Sequence, residues 1–199
     1  MTWNAHAQAP LEITAASSQM SLAPHTSYYH DTSGQEDLAT VTRKLPAQAF
    51  QPLPGQNASF GFQDGAFWFH ARVLNRDNAD DKWLLVQEYA LSDRIDVYAT
   101  YADGRVIHSA GGDHLPFDQR KIRYRQPNFW VELPQGQTVD LLVRVQSESS
   151  MQVPLHLYAP SAFIEQSRDA QFAIGLYYGI LLALFTYNLV LWLTLRDAS

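Results

Sequence analysis

The sequence predicts a mainly β protein, two antiparallel sheets packed as a jelly roll or β-sandwich, followed by one transmembrane α-helix. Three observations predict it. Val139, Leu141, Val143 and Val145 alternate with Asp140, Leu142 and Arg144, the two-residue period of a half-buried strand. Similar short segments recur between separators rich in turn residues: Asn75 to Asp81, Asp103-Gly104, Gly111-Gly112-Asp113 and Pro134-Gln135-Gly136. Finally, no charged side chain occurs from Phe172 to Leu195.

Taken in order, residues 1–19 are expected to be processed or disordered, because Ala7-Gln8-Ala9-Pro10 has the small-residue form of a signal-peptidase site. Residues 20–160 form the sandwich. It begins with short strands at Met20 to Ala23 and Ser27 to His30 and a modest helix from Glu36 to Leu45. Pro52, Pro54 and Gly55 mark a connector. The odd-numbered apolar faces Phe67, Phe69, Ala71, Val73, then Ile95, Val97, Ala99, Tyr101, then Phe129, Val131, Leu133 define three strands. Others run from Lys82 to Tyr89, Arg105 to Ser109 and Met151 to Tyr158, the last at an edge or bulge because Pro154 lacks a donor. Asp103-Gly104 suits a tight hairpin turn.

Pro160 suits the start of a linker helix over 161–171. The membrane helix follows at 172–195; its roughly 24 residues would span about 36 Å, enough for the hydrocarbon of a bilayer. Tyr177, Tyr178 and Trp192 lie toward its ends as interfacial anchors. Gly175 and Gly179 allow close approach of another helix, and Asn188, about 200° away around the axis, seeks a hydrogen bond away from lipid. Both features favour packing in a multi-helix bundle over a lone anchor. Residues 196–199 would begin a cytoplasmic loop, although Arg168 and Arg196 flank the span too symmetrically for charge to set its orientation.

The bulk composition narrows the function. A net charge of −6 across 199 residues, with no Lys/Arg-rich run, lacks the footprint of nucleic-acid binding. Zero cysteines exclude disulfides, thiolate nucleophiles and cysteine-ligated zinc. The seven histidines are scattered, and there is no His-Glu-x-x-His, Gly-x-Ser-x-Gly or phosphate-binding glycine loop, so the chain shows no catalytic machinery.

The segments in order resemble the type-two extracellular domain of bacterial seven-transmembrane receptors with diverse intracellular signalling modules. The resemblance rests on Tyr29-His30-Asp31-Thr32-Ser33-Gly34, Ser59-Phe60-Gly61 through Trp68, Leu74-Asn75, and Leu91-Ser92-Asp93-Arg94-Ile95-Asp96-Val97-Tyr98. It continues through Gly112-Asp113, Pro116-Phe117, Arg120, Ser149-Ser150 and Val153-Pro154-Leu155 to Gly175-Leu176-Tyr177-Tyr178-Gly179-Ile180, Tyr187-Asn188 and Leu195-Arg196-Asp197. It implies a periplasmic jelly roll similar to carbohydrate-binding modules, in a bacterial inner-membrane receptor with seven helices and a histidine kinase or diguanylate cyclase output. The chain contains one helix and no output module, so it reads as a receptor cut after its first helix.

If the odd face is core, the even face presents Trp68, His70 and Arg72, then Arg94, Asp96 and Tyr98, then Asn128, Trp130 and Glu132. Aromatic planes beside polar groups suit a glycan or other small-molecule ligand; the bland alternative is a solvated outer face. No cofactor is required. The loop Asn75 to Asp81 nevertheless offers hard oxygens from Asp77, Asn78, Asp80 and Asp81, which a calcium ion prefers, the alternative being a solvated acidic turn. A further alternative is homo- or heterodimerisation through an exposed sheet face or edge.

Overall fold

The computed structural model describes residues 9–46, 49–55, 58–115, 122 and 124–196. Its hub is the longest alternating segment, because a ten-residue strand with one apolar face can accept partners on both edges. The strands are β1 (Leu11–Ile13), β2 (Gln19–Ser21), β3 (Thr26–Asp31), β4 (Gln51–Pro52), β5 (Ser59–Gly61), β6 (Ala66–Asn75) and β7 (Lys82–Gln87). They continue with β8 (Arg94–Thr100), β9 (Val106–Gly111), β10 (Asn128–Glu132), β11 (Thr138–Gln146), β12 (Met151–Gln152) and β13 (Leu155–Tyr158). Two helices, α1 (Leu38–Lys44) and α2 (Pro160–Arg196), and a 3₁₀ turn at Ala23–His25 complete the described elements.

The first sheet has seven strands in the order β4-β3-β6-β11-β8-β9, with β1 parallel to the end of β6. The second has the order β10-β7-β13-β2, and β5 pairs with β12 apart from both. Phe67, Phe69, Val73, Ile95, Val97, Val139, Leu141, Val143 and Val145 of the first sheet are buried, as are Trp83, Leu85, Phe129, Val131 and Leu157 of the second. The odd-numbered apolar face is therefore core, and the sandwich expectation holds.

Several boundaries differ from the expectation. β1 lies inside the segment expected to be processed or disordered. Leu11 and Ile13 are buried on either side of exposed Glu12, and three residues are too few to show a period in the sequence. Pro154 divides the expected last strand into β12 and β13, since it has no N–H for a ladder. The expected helix starts two residues later, at Leu38, because Asp37 is its N-cap and accepts a 2.8 Å hydrogen bond from Thr40 N.

The linker and membrane segments are one unbroken helix, α2, about 55 Å long at 1.5 Å per residue. Its apolar side chains, from Phe172 to Leu195, are exposed. It is long and apolar enough to cross a membrane. Gly175 and Gly179 have nothing within 4 Å of where a Cβ would sit. Asn188 departs from expectation: its Nδ2 donates to Leu184 O at 2.8 Å, one turn back along its own helix, which partly removes its need for an outside partner.

Candidate ligand cavity at the loop end of the sandwich

Of the even-numbered residues expected to face a ligand, Trp68, His70, Arg72, Arg94, Asp96 and Tyr98 share one face of the first sheet, and Trp130 and Glu132 do not join them. On the first sheet they form rows across the strands: Tyr29, Trp68, Arg144 and Asp96 lie side by side, and Ser27, His70, Leu142, Tyr98 and His108 form the next row. Trp68 and Leu142 create an apolar spot in this otherwise polar face, and Val41 of α1 closes over it with Leu38, Leu45 and Phe50 around the edge. Trp68 is consequently 0% exposed and cannot stack on a solute. This corrects the sequence reading, in which the face was open.

Asp96 is likewise buried. Its carboxylate accepts hydrogen bonds from Arg94 Nε and His108 Nε2, both at 2.9 Å, and Arg144 Nη1 lies 3.7 Å away. The contact with Asp96 pushes the Arg94 pKa upward, holding its guanidinium charged and engaged. Tyr98 stacks between Trp68 and His108, with ring centroids at 6.0 and 4.5 Å, and its burial raises the phenol pKa. His70 Nε2 donates to Asp140 Oδ1 at 2.9 Å, and Arg72 is half-buried. The charged groups of this face pair with one another, while among the described residues the buried Trp68 Nε1 has no hydrogen-bond partner.

Trp130 and Glu132 belong to β10, in the other sheet. They border a smaller crevice of about 360 Å³, with Val97, Ala99, Tyr101, Ile107 and Val131.

The residues of the expected calcium loop are engaged differently. Asp77 Oδ1 accepts from Ala15 N at 2.8 Å, tying the loop to the chain after β1. Asn78 is buried; its Oδ1 accepts from Asp80 N and its Nδ2 donates to Thr14 O. Asn75 Nδ2 donates to Leu133 O at 2.7 Å. These side chains tie the loop to the chain after β1 and to the residue after β10, and Asn78 Oδ1 also closes its own turn. Asp80 and Asp81 remain exposed.

An opening larger than that crevice lies at one end of the sandwich. Strand register brings that end together: Asp31 pairs with Ala66, Gln146 with Arg94, Ile95 with Gly111, Val86 with Asn128, and Leu155 with Gln87. The loops leaving these positions surround a cavity of about 730 Å³. The β5–β6 loop contributes Phe62, Gln63, Asp64 and Gly65; the turn into β8 contributes Asp93 and Arg94. His114 comes from the segment after β9, and Gln146, Ser147 and Glu148 from the end of β11 onward.

Two glycines let these loops cross. Gly65 has φ +87°, and a Cβ there would lie 2.2 Å from Asp31 O; Gly112 has φ +126°, with the same 2.2 Å overlap on Asp93 O. Asp31, at the end of β3, accepts from Ser33 N, Ser33 Oγ and Gly34 N through Oδ1, and from Glu36 N through Oδ2. Burial alone would raise its pKa, but those four donors outweigh it and hold the carboxyl below the ordinary 3.8. Asp93 Oδ2 accepts from Glu148 N at 2.7 Å, and its Oδ1 from Ser147 Oγ at 3.3 Å. Asp113 N and His114 N donate to Ser92 O and Asp93 O. Ligand atoms of Asp93, Asp113 and His114 thereby come within 4.8 Å of one another, close enough to share a divalent ion.

Sequence periodicity missed Phe62, Asp64, Asp93, His114 and Gln146 as site residues because all but Gln146 lie in turns, where no period operates. A signal was nevertheless present. Most sandwich fragments that carry the family resemblance, including Tyr29 to Gly34, Leu91 to Asp93, Gly112-Asp113 and Ser149-Ser150, meet at this end.

Comparison with known proteins gives distant structural likenesses and one family match. A Ruminococcus gnavus β-glucuronidase is 18% identical over 65% of this chain and 21% of its own, with a TM-score of 0.40. The same organism's β-glucuronidase in complex with D-glucaro 1,5-lactone is 14% identical over 71% of this chain and 29% of its own, also at 0.40. The chain thus spans less than a third of either enzyme. No curated protein matches it. Residues 23–159, from the turn before β3 to the end of the sandwich, match the family 7TMR-DISM extracellular 2. The chain belongs to that family: it carries a receptor sensor domain, outward-facing and anchored by a membrane helix.

Proposed function

We propose that the domain binds a small hydroxyl-rich ligand of carbohydrate type in the loop-end cavity, on the periplasmic side of a bacterial inner membrane. The observation that carries this reading is Phe62, an aromatic ring 80% exposed at the rim of a cavity whose other side chains are amides, carboxylates, a hydroxyl, an imidazole and the Arg94 guanidinium. A pyranose has an apolar face for such a ring and hydroxyl edges for such donors and acceptors. The volume is in the range of small-molecule sites.

Signal passes along the chain itself. Ser147 and Glu148 line the cavity and hold Asp93. From there the backbone runs through β12, Pro154 and β13 directly into α2. A ligand that prefers one arrangement of the Ser147–Glu148 turn shifts the population of that arrangement. A tenfold preference supplies only about 1.4 kcal/mol, so the receptor must rest near balance. The remaining helices and a cytoplasmic kinase or cyclase output would complete the receptor and read the change.

The test is calorimetry on the full chain in detergent micelles against a panel of neutral, amino and acidic sugars. Binding by the native protein that F62A loses, with unaltered thermal melting, supports the reading. Absence of heat from every sugar at millimolar concentration removes it. Flexible glycines inserted near Ala170 should abolish output from the intact receptor and leave sugar binding unchanged; retained output would contradict the mechanical route.

A further inference from the structure

Two buried or half-buried carboxylates of this domain are answered by the chain's own groups: Asp96 by Arg94 and His108, and Asp31 by Ser33, Gly34 and Glu36. Asp93 and Asp113 stand apart. Among the described residues, neither forms an ion pair with Lys, Arg or His, although Arg94 follows Asp93 in the chain. Arg94 turns instead to Asp96. Among the same residues, the Asp113 carboxylate and the His114 ring form no hydrogen bond.

These two anions and the imidazole are nevertheless held together at the wall of the loop-end cavity. Their ligand atoms lie within 4.8 Å of one another, and Asp93 and His114 line the opening. The cluster is assembled from two sides. Glu148 N at 2.7 Å and Ser147 Oγ at 3.3 Å donate to Asp93, fixing its carboxylate as outer-sphere donors fix a metal ligand. Asp113 N and His114 N donate to Ser92 O and Asp93 O, which seats the segment after β9 against the turn into β8. Like charges gathered without a counterion repel, and a bound cation relieves that repulsion.

We propose that Asp93, Asp113 and His114 bind a divalent transition metal ion of the zinc class. The donor set selects the ion. Calcium takes about six to eight oxygens and gains little from an imidazole. Zinc accepts imidazole and carboxylate together in tetrahedral sites, and with three protein ligands water fills the fourth position. Tetrahedral ligand atoms at about 2.1 Å from the ion stand about 3.4 Å apart. Asp113 and His114 are exposed and can rotate inward over the difference, while Asp93 stays where its donors hold it. The ion pins the segment after β9 to the turn that Ser147 and Glu148 hold, whether or not the cavity takes a sugar.

The full chain in detergent micelles, stripped with chelator and titrated calorimetrically with zinc chloride alone, should take up about one equivalent. His114→Ala and Asp113→Asn should each weaken uptake by about tenfold or more and leave the melting temperature of the metal-free protein unchanged. Zinc should raise the melting temperature of the native chain and not that of H114A. Zinc uptake without any sugar uptake keeps this site and removes only the sugar reading. No uptake by the native chain at millimolar zinc, uptake that both variants retain, as scattered surface histidines would give, or tighter binding of calcium than of zinc overturns the proposal.

Discussion

Two surfaces of the sandwich invite comparison: the outer face of the first sheet and the loop end. Both carry aromatic rings beside ionisable groups. On the outer face, α1 covers Trp68, and Arg94, Asp96, His108 and Arg144 satisfy one another. At the loop end, four chain segments bend around open volume, and Phe62 faces solvent. The difference teaches that a binding surface is defined by what remains uncovered after the protein has satisfied itself, since paired buried groups have little left to offer a solute.

Mutations should separate the two surfaces. The largest effect is expected from W68A, which empties the space beneath α1 and should cost roughly 3–5 kcal/mol in urea unfolding. The surviving folded fraction should keep its ligand affinity. Loss of ligand affinity without loss of stability would return Trp68 to the binding surface. Gly65→Ala comes next: the positive φ alone costs about 1–3 kcal/mol, and the overlap with Asp31 O must also be relieved by moving the cavity rim. It should therefore lower both stability and binding.

Asp31→Asn keeps the shape but turns an amide NH₂ toward donors that need an acceptor, for a loss of about 1–3 kcal/mol. The native carboxyl has a folded pKa below its unfolded value of 3.8. Its stabilisation is therefore complete above that value and disappears as pH falls through the lower folded pKa. Acid unfolding curves should show native protein losing stability in that window and the variant losing less. The smallest stability effect is expected from F62A, within about 0.5 kcal/mol, while sugar affinity drops by about tenfold. A stable F62A protein with native affinity would leave the loop end no better supported than the outer face.

The sheets were legible because burial imposes a two-residue period, as Val139 to Val145 and Ile95 to Tyr101 show. The membrane helix was legible from its long uncharged run. Trp68 was misread because its even position matches the polar side, and strand periodicity carries no information about a seven-residue helix docking on that side. β1 was missed because three residues give no pattern, and Asn75, Asp77 and Asn78 because carboxylates and amides that close a turn look the same in sequence as those that hold a cation. The cavity depends on four loops meeting, a property of register rather than of any one segment.

The continuity of α2 imposes a rule on any message sent along it. A rod without a joint preserves angular phase, so each added residue turns everything beyond it by about 100° and advances it by about 1.5 Å. Receptor output measured against the length of an alanine insertion in this rod should rise and fall with the turn of the helix, recovering near a whole number of turns.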